Sequence, residues 1–368
     1  MALDNFAAFF IQPPVGAWSD RLRTKLGRRL PFILVGAPIA AVAFGLIPLA
    51  TSLPLFIACT ITTILSMAFW RTPVVALMPD VTPSRLRSQA NGIINFMGGL
   101  GLVLGTSIGS MLVVKGDAFP FWFGSALVLV AAAMVLIFVR EPKVYEDNPN
   151  IERPKPWKSI KELFTSKHGD AIRIFLAIFF WFVAYNAIEA FLSLYGVNYL
   201  GLDEAGAGKL ITSVGFSFLL FAIPAGFIGA RLGRKKTIGI GLLIMIAMLL
   251  SVNFLPKETL LQNYGKLPIL GNIMNLTLLL LGAGIGWACI NINSLPVVVD
   301  LTDLVHVGTY TGLYYLFSTL AAILGPITNG VIDKLSGNNY STIFVIGPIF
   351  MAAALIMILG MKYGEAKS

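Results

Sequence analysis

The feature that most restricts this chain is a series of apolar runs too long for the core of a soluble domain. Crossing about 30 Å of hydrocarbon takes roughly 20 helical residues at about 1.5 Å each. The runs from Ala171 to Gly196 and from Leu276 to Val299 are that long or longer, and they do not stand alone. Eleven spans can be drawn, at about 2–19, 31–51, 54–78, 88–114, 120–140, 171–196, 208–230, 236–255, 270–298, 307–332 and 341–361. Composition agrees: of 368 residues 57% are hydrophobic and 12% charged, against about 25% charged in a soluble domain. The implied fold class is all-α and integral to a membrane, because a helix satisfies its own backbone where water is absent.

A net charge of +9 would raise nucleic acid as a partner for a soluble protein. Here the basic residues sit in short loops between apolar runs, which the positive-inside bias explains without a polyanion. Arg21, Arg23, Lys25, Arg28 and Arg29 crowd the first loop, Arg85 and Arg87 the third, and Arg231, Arg234, Lys235 and Lys236 the seventh. Intervening loops such as 51–53, 115–117 and 201–204 are poor in positive charge. Alternate loops are therefore expected in the cytoplasm, with the C-terminus inside and the chain multi-pass in the cell membrane. The ninth loop, Asp300 to His306, lacks Lys and Arg and is placed only by parity. Cys59 and Cys289 lie within apolar runs and read as buried free thiols. No charged n-region with a cleavage site opens the chain.

The longest polar stretch, Glu141 to Asp170, holds four prolines and then Trp157, Ile160, Leu163 and Phe164 at helical spacing. It reads as a cytoplasmic linker with an amphipathic segment on the membrane surface. It divides the chain into a five-helix bundle (1–140), the linker (141–170) and a six-helix bundle (171–368). An internal repeat supports this division: Asp80 and Asp300, Gly92 and Gly312, and Gly105 and Gly325 share an offset of 220 residues. Gly16…Arg21…Gly27-Arg28-Arg29 likewise parallels Gly226…Arg231…Gly233-Arg234-Lys235-Lys236. Two homologous halves are a recurring transporter architecture. Under this repeat the first span matches the second helix of a six-helix half, so the first half is expected to lack its opening helix.

The segment Gly16-Ala-Trp-Ser-Asp20-Arg21…Gly27-Arg28-Arg29-Leu-Pro-Phe resembles the loop signature of the major facilitator superfamily. In its longer form, with Gln12-Pro13 before it and Ala76-Leu77-Met78-Pro79-Asp80 after, it is similar to the glycoside–cation and proton–sucrose symporters. The resemblance covers nearly the whole chain and departs at Ala230, where an acidic residue would complete the second-half motif. It implies a two-bundle transporter working by alternating access, without a cofactor, that carries a small solute such as a sugar with H⁺ or Na⁺ and acts as a monomer in the bilayer.

Within that frame Asp20 can accept hydrogen bonds from a helix N-terminus or from arginine. With Arg21, Arg28, Arg29, Asp80 and Arg85 it forms the expected cytoplasmic gate. Ionisable groups inside spans are costly and usually line a cavity. Arg71 lies about two and a half turns before Asp80, and Asn291 is its counterpart in the second half. In the sixth span Tyr185, Asn186, Glu189 and Ser193 form a polar stripe. Glu189 is the candidate cation site of the second half, with Asp4 its counterpart in the first. Sugar binding needs paired polar groups and an aromatic platform, for which Asn5, Gln12, Arg71, Asn186, Trp287, Asn291 and Tyr314 are the candidates. A membrane enzyme is disfavoured because His168 and His306 both fall in loops and no ligand cluster appears. The two-half repeat argues against a channel; the remaining alternatives are a transporter of the same superfamily for another small organic solute and a transport-inactive fragment.

Overall fold

The structure, a computed structural model, describes residues 2–142, 169–267, 270–302 and 305–362, with side chains from residue 8 onward. The side chains of Asp4 and Asn5, and the amphipathic segment around Trp157, lie outside the described residues. Among the described residues eleven long helices follow in order. They are α1 (Ala2–Arg21), α2 (Leu30–Leu46), α3 (Leu53–Val81), α4 (Arg87–Val113), α5 (Phe119–Phe138) and α6 (Gly169–Asn198). After these come α7 (Glu204–Leu232), α8 (Arg234–Phe254), α9 (Asn275–Asp300), α10 (Val307–Leu335) and α11 (Ile343–Leu359).

Ten of the eleven are long and apolar enough to cross a membrane. The exception is α1, in which Asp4, Asn5, Gln12, Ser19, Asp20 and Arg21 dilute the apolar residues. Between α8 and α9 a single helical turn, Lys257–Leu260, leads into an antiparallel pair, β1 (Asn263–Leu267) with β2 (Gly271–Met274). The ninth span therefore begins at Asn275, not near 270, because the backbone of 271–274 is taken up by strand pairing.

The chain forms two compact units. The first comprises Met1–Arg87, Met97–Ser166 and Thr302–Leu316; the second comprises Ser88–Phe96, Lys167–Leu301 and Phe317–Ser368. In the first, Leu30, Ile33 and Ala37 of α2 pack with Leu77 of α3 and Ala132 of α5, flanked by Trp70, Val74 and Val128. In the second, Ala222 and Ala225 of α7 pack with Ala288, Cys289 and Ile292 of α9, flanked by Phe96, Phe218 and Phe221. Both cysteines are free and buried.

The repeat reappears as equivalent close approaches within the two units. In the first, a Cβ at Gly16 would collide with the carbonyl of Gly308, and one at Gly312 would lie 2.8 Å from the Cα of Pro13. In the second, a Cβ at Gly226 would lie 2.6 Å from the Ser88 carbonyl, and one at Gly92 2.6 Å from that of Ala222. Ser88 and Gly308 stand at the same 220-residue offset as Gly92 and Gly312. Small residues let helix backbones meet where apolar burial gives no drive between helices in lipid.

The glycine ladders differ. A Cβ at Gly325 would lie 2.6 Å from the Val183 carbonyl of α6, whereas Gly98, Gly101, Gly105 and Gly109 of α4 face nothing within 4 Å among the described residues. A paired substitution tests this difference. Gly284→Ala would drive a methyl into the Ser217 hydroxyl and the Val214 carbonyl, costing about 1–3 kcal/mol. Gly101→Ala meets open space and should not lower stability. Thermal unfolding of the two variants in detergent checks the contrast.

Candidate functional site

The α1–α2 turn draws a charged cluster out of water. Gly27 adopts φ +112°, and a Cβ there would collide with the Glu141 carboxylate, so this position needs glycine for both conformation and space. With that room, Glu141 accepts from the N–H groups of Arg28 at 2.8 Å, Arg29 at 2.9 Å and Leu30 at 3.3 Å. It thereby covers the positive end of α2.

Arg28 and Arg29 are both buried and both pair with Asp80 at the end of α3, at 2.8 and 2.9 Å. Arg29 also pairs with Asp20 at 2.6 Å and donates to the Ser19 hydroxyl. Asp20 in turn caps α10. One oxygen accepts from the Gly308 N–H at 2.8 Å; the other accepts from the Thr309 N–H at 2.6 Å and from its hydroxyl at 2.7 Å. Two guanidiniums thus face three carboxylates. The surplus negative charge lies on the N-termini of α2 and α10, each equivalent to roughly half a positive charge. Burial alone would lower the Arg29 guanidinium, yet Asp80 and Asp20 together hold it above its usual value. Burial pushes the Glu141 carboxyl up, opposed by the N–H groups of Arg29 and Arg28.

Arg21 and Arg85 stay exposed and outside this cluster. Arg87 turns inward instead and donates to the carbonyls of Pro79 at 2.9 Å and Thr82 at 3.2 Å, the free end of α3. The second unit has a simpler counterpart: buried Arg234 pairs with Asp300 and donates to the Ser88 hydroxyl at 2.9 Å. Ala230 supplies no carboxylate to match Asp20.

The polar groups within the helices form two sets. In the first unit the Arg71 guanidinium lies 5.3 Å from the centre of the Tyr315 ring, and Tyr314 meets that ring edge-on at 5.4 Å. Gln12 is buried, with its side-chain oxygen unpartnered among the described residues. In the second unit Tyr185 stacks on buried Trp287 at 3.9 Å, with Phe182 edge-on at 5.3 Å. One face of the expected platform is thus already covered. Asn186 donates to the Phe182 carbonyl at 2.7 Å; Asn291 is half-buried and Glu189 exposed. A cleft of about 450 Å³ between α2 and α3, lined by Pro38, Ile39, Val42 and Cys59 among others, contains none of these candidates.

Four participants escape sequence reasoning. Glu141 looks like the first residue of the linker, and Thr309 carries no charge. Ser88 is one hydroxyl among many. Asn293, not Asn291, ties α9 to α7 by donating to the Ala225 carbonyl at 3.2 Å. The 220-residue offset was the available signal for one of them: it points from Gly308 to Ser88.

The sequence pattern of the Major Facilitator Superfamily matches residues 1–211 and 197–367. The chain belongs to that superfamily. It is 27% identical over 232 residues to multidrug resistance protein 2 of Bacillus subtilis, which is 61% of this chain and 56% of that protein. The chain thus spans just over half the length of that relative. Over 124 residues it is 32% identical to the rice sucrose transport protein SUT4, 28% of this chain and 21% of that protein. The transporter FucP, crystallised in its outward conformation, superposes with a TM-score of 0.75 at 14% identity, over 97% of this chain and 89% of that one. That likeness shows the shared fold.

Asp80→Asn should cost about 3–5 kcal/mol, since it strips a buried carboxylate from two buried guanidiniums. Arg85→Ala, at an exposed position, should change stability by under about 0.5 kcal/mol. Denaturant or thermal unfolding of both variants in detergent measures the difference.

Proposed function

We propose that the chain works as a secondary active transporter that moves a small polar solute, a sugar or glycoside, together with H⁺ or Na⁺ by alternating access. The observation that carries this reading is Arg71. It lies well inside α3 and has no ion pair among the described residues; its guanidinium rests on Tyr315 beside Tyr314. An arginine held this way in a span is expensive unless it serves a polar pathway. Its fork of N–H donors suits a row of hydroxyls, and the neighbouring rings suit the apolar face of a pyranose. The stretch shared with the sucrose transport protein and the fold shared with FucP, a fucose:proton symporter, support the choice of solute.

In this reading Gln12, Asn186, Trp287 and Asn291 complete the solute contacts, and Glu189 carries the coupled cation. Bundles 1–140 and 171–368, joined by the linker 141–170, face a cytoplasm that also holds the C-terminus. The gate is the cap of Asp20 on the start of α10: rupture of its three hydrogen bonds to Gly308 and Thr309 frees that helix end. A second reading, export of a drug-like organic solute, is favoured by the similarity to multidrug resistance protein 2.

Reconstitution into proteoliposomes with a panel of sugars and cationic drugs separates the two. Sugar-driven movement of H⁺ or Na⁺ supports the first; drug extrusion without it replaces that reading with the second. Arg71→Ala should weaken solute affinity about 10- to 100-fold, the range for a lost charged hydrogen bond, and an unaltered binding isotherm would remove Arg71 from the site. Glu189→Gln should abolish cation-driven accumulation while leaving solute exchange intact.

A further inference from the structure

One further buried carboxylate stands apart from everything assigned above. Asp333, on the last turn of α10, is 3% exposed, and Asn329, one turn earlier, is fully buried. The Asn329 amide N–H donates to one Asp333 oxygen at 3.0 Å, and the Thr342 hydroxyl donates to the other. No ion pair reaches Asp333 among the described residues, and the adjacent Lys334 is exposed. The C-terminal end of a helix carries roughly half a negative charge, so the carboxylate sits where its own charge is least welcome. A buried charge in that position calls for a compensating cation.

Next to the carboxylate, the Asn329 side-chain oxygen is buried without a partner among the described residues. It is a neutral oxygen acceptor on the amide whose nitrogen already contacts Asp333. The surrounding loop holds its shape around this point. Asn338, at φ 63°, donates its N–H to the Asp333 carbonyl at 2.7 Å, and the Ser336 hydroxyl donates to the same carbonyl at 3.1 Å. Thr342 belongs to a short 3-10 turn capped by Asn339, which accepts from the Ser341 N–H at 3.2 Å. The carboxylate is therefore positioned from two directions, by α10 and by the α10–α11 loop.

The repeat argues that this cluster is not a requirement of the helix fold. At the 220-residue offset the first half has Gly109 and Val113 in place of Asn329 and Asp333. The equivalent helix forms without either polar group.

We propose that Asp333, Asn329 and Thr342 form a binding site for a monovalent hard cation, Na⁺, with Asp333 and the Asn329 oxygen as ligands and the Thr342 hydroxyl as the third. Hard cations take oxygen donors, and all three groups present oxygen. Each carboxylate oxygen accepts one donor, which leaves it a second lone pair to offer a metal ion. The site is independent of the transport reading, and its test does not use transport.

The experiment is thermal unfolding of the purified protein in detergent, in NaCl, KCl or choline chloride at constant ionic strength and pH. Na⁺ should raise the melting temperature above the choline value in a saturable way. Asp333→Asn should abolish that shift, and Asn329→Ala should weaken apparent Na⁺ affinity at least tenfold. Gly101→Ala, whose added methyl meets open space, should keep the full shift. If Asp333→Asn fails to fold, Asn329→Ala and ²²Na⁺ binding to the unaltered protein decide alone. A Na⁺ response equal to choline, or one kept in full by the Asn329 variant, overturns the proposal. Equal shifts in Na⁺ and K⁺ overturn the choice of Na⁺.

Discussion

Hydrocarbon offers a peptide N–H or C=O no partner, and it offers a charge even less. Every main-chain group in a span must be satisfied by its own helix, and each helix end must find a substitute for water. Much of the chemistry in this chain can be read as a response to those ends. Glu141 covers the first N–H groups of α2, Asp20 those of α10, and Arg87 the last carbonyls of α3. Arg28 and Arg29 then neutralise what the carboxylates bring in, through Asp80 and Asp20. No member can be removed alone without leaving a buried charge or an orphaned helix end, so the group behaves as a unit.

The second unit solves the same problem with fewer charges. One arginine, Arg234, pairs with one aspartate, Asp300, and a serine hydroxyl completes the set. The helix contacts are equivalent, with Gly226 on Ser88 where Gly16 lies on Gly308. The electrostatics are not equivalent, because Ala230 replaces the carboxylate. A shared fold therefore carries a three-carboxylate cluster in one half and a single ion pair in the other. The Asp333 cluster makes the opposite distinction, since it is present in the second half and replaced by Gly109 and Val113 in the first.

Much of the fold was legible in the sequence because membrane helices announce themselves by length and apolarity alone. Ten of the expected spans meet that criterion in the structure. α1 sits at the margin because its polar residues do. The start of the ninth span shifted to Asn275 because strand pairing between 263–267 and 271–274 depends on a partner segment that periodicity does not reveal. Asp20, Arg28, Arg29 and Asp80 could be grouped from a short motif and an offset, whereas Arg21 and Arg85, equally basic and equally close in the chain, remain outside. Proximity in sequence does not say which of several arginines turns inward.

Period, span length and loop charge by themselves determined that this chain crosses a membrane as two related sets of helices, because those properties are local and additive along the chain. The tertiary structure decided which side chains meet. It joined Glu141 to a turn 113 residues earlier and Asp20 to a helix end 288 residues later. It also covered one face of Trp287 with Tyr185 and left Gly98, Gly101, Gly105 and Gly109 of α4 with no neighbour among the described residues. Such pairings depend on helix rotation and tilt, which the close approaches of glycines such as Gly16, Gly92, Gly226 and Gly312 help to set. A shift of one residue around a helix turns a side chain by about 100°, enough to separate a buried ion pair from an exposed arginine.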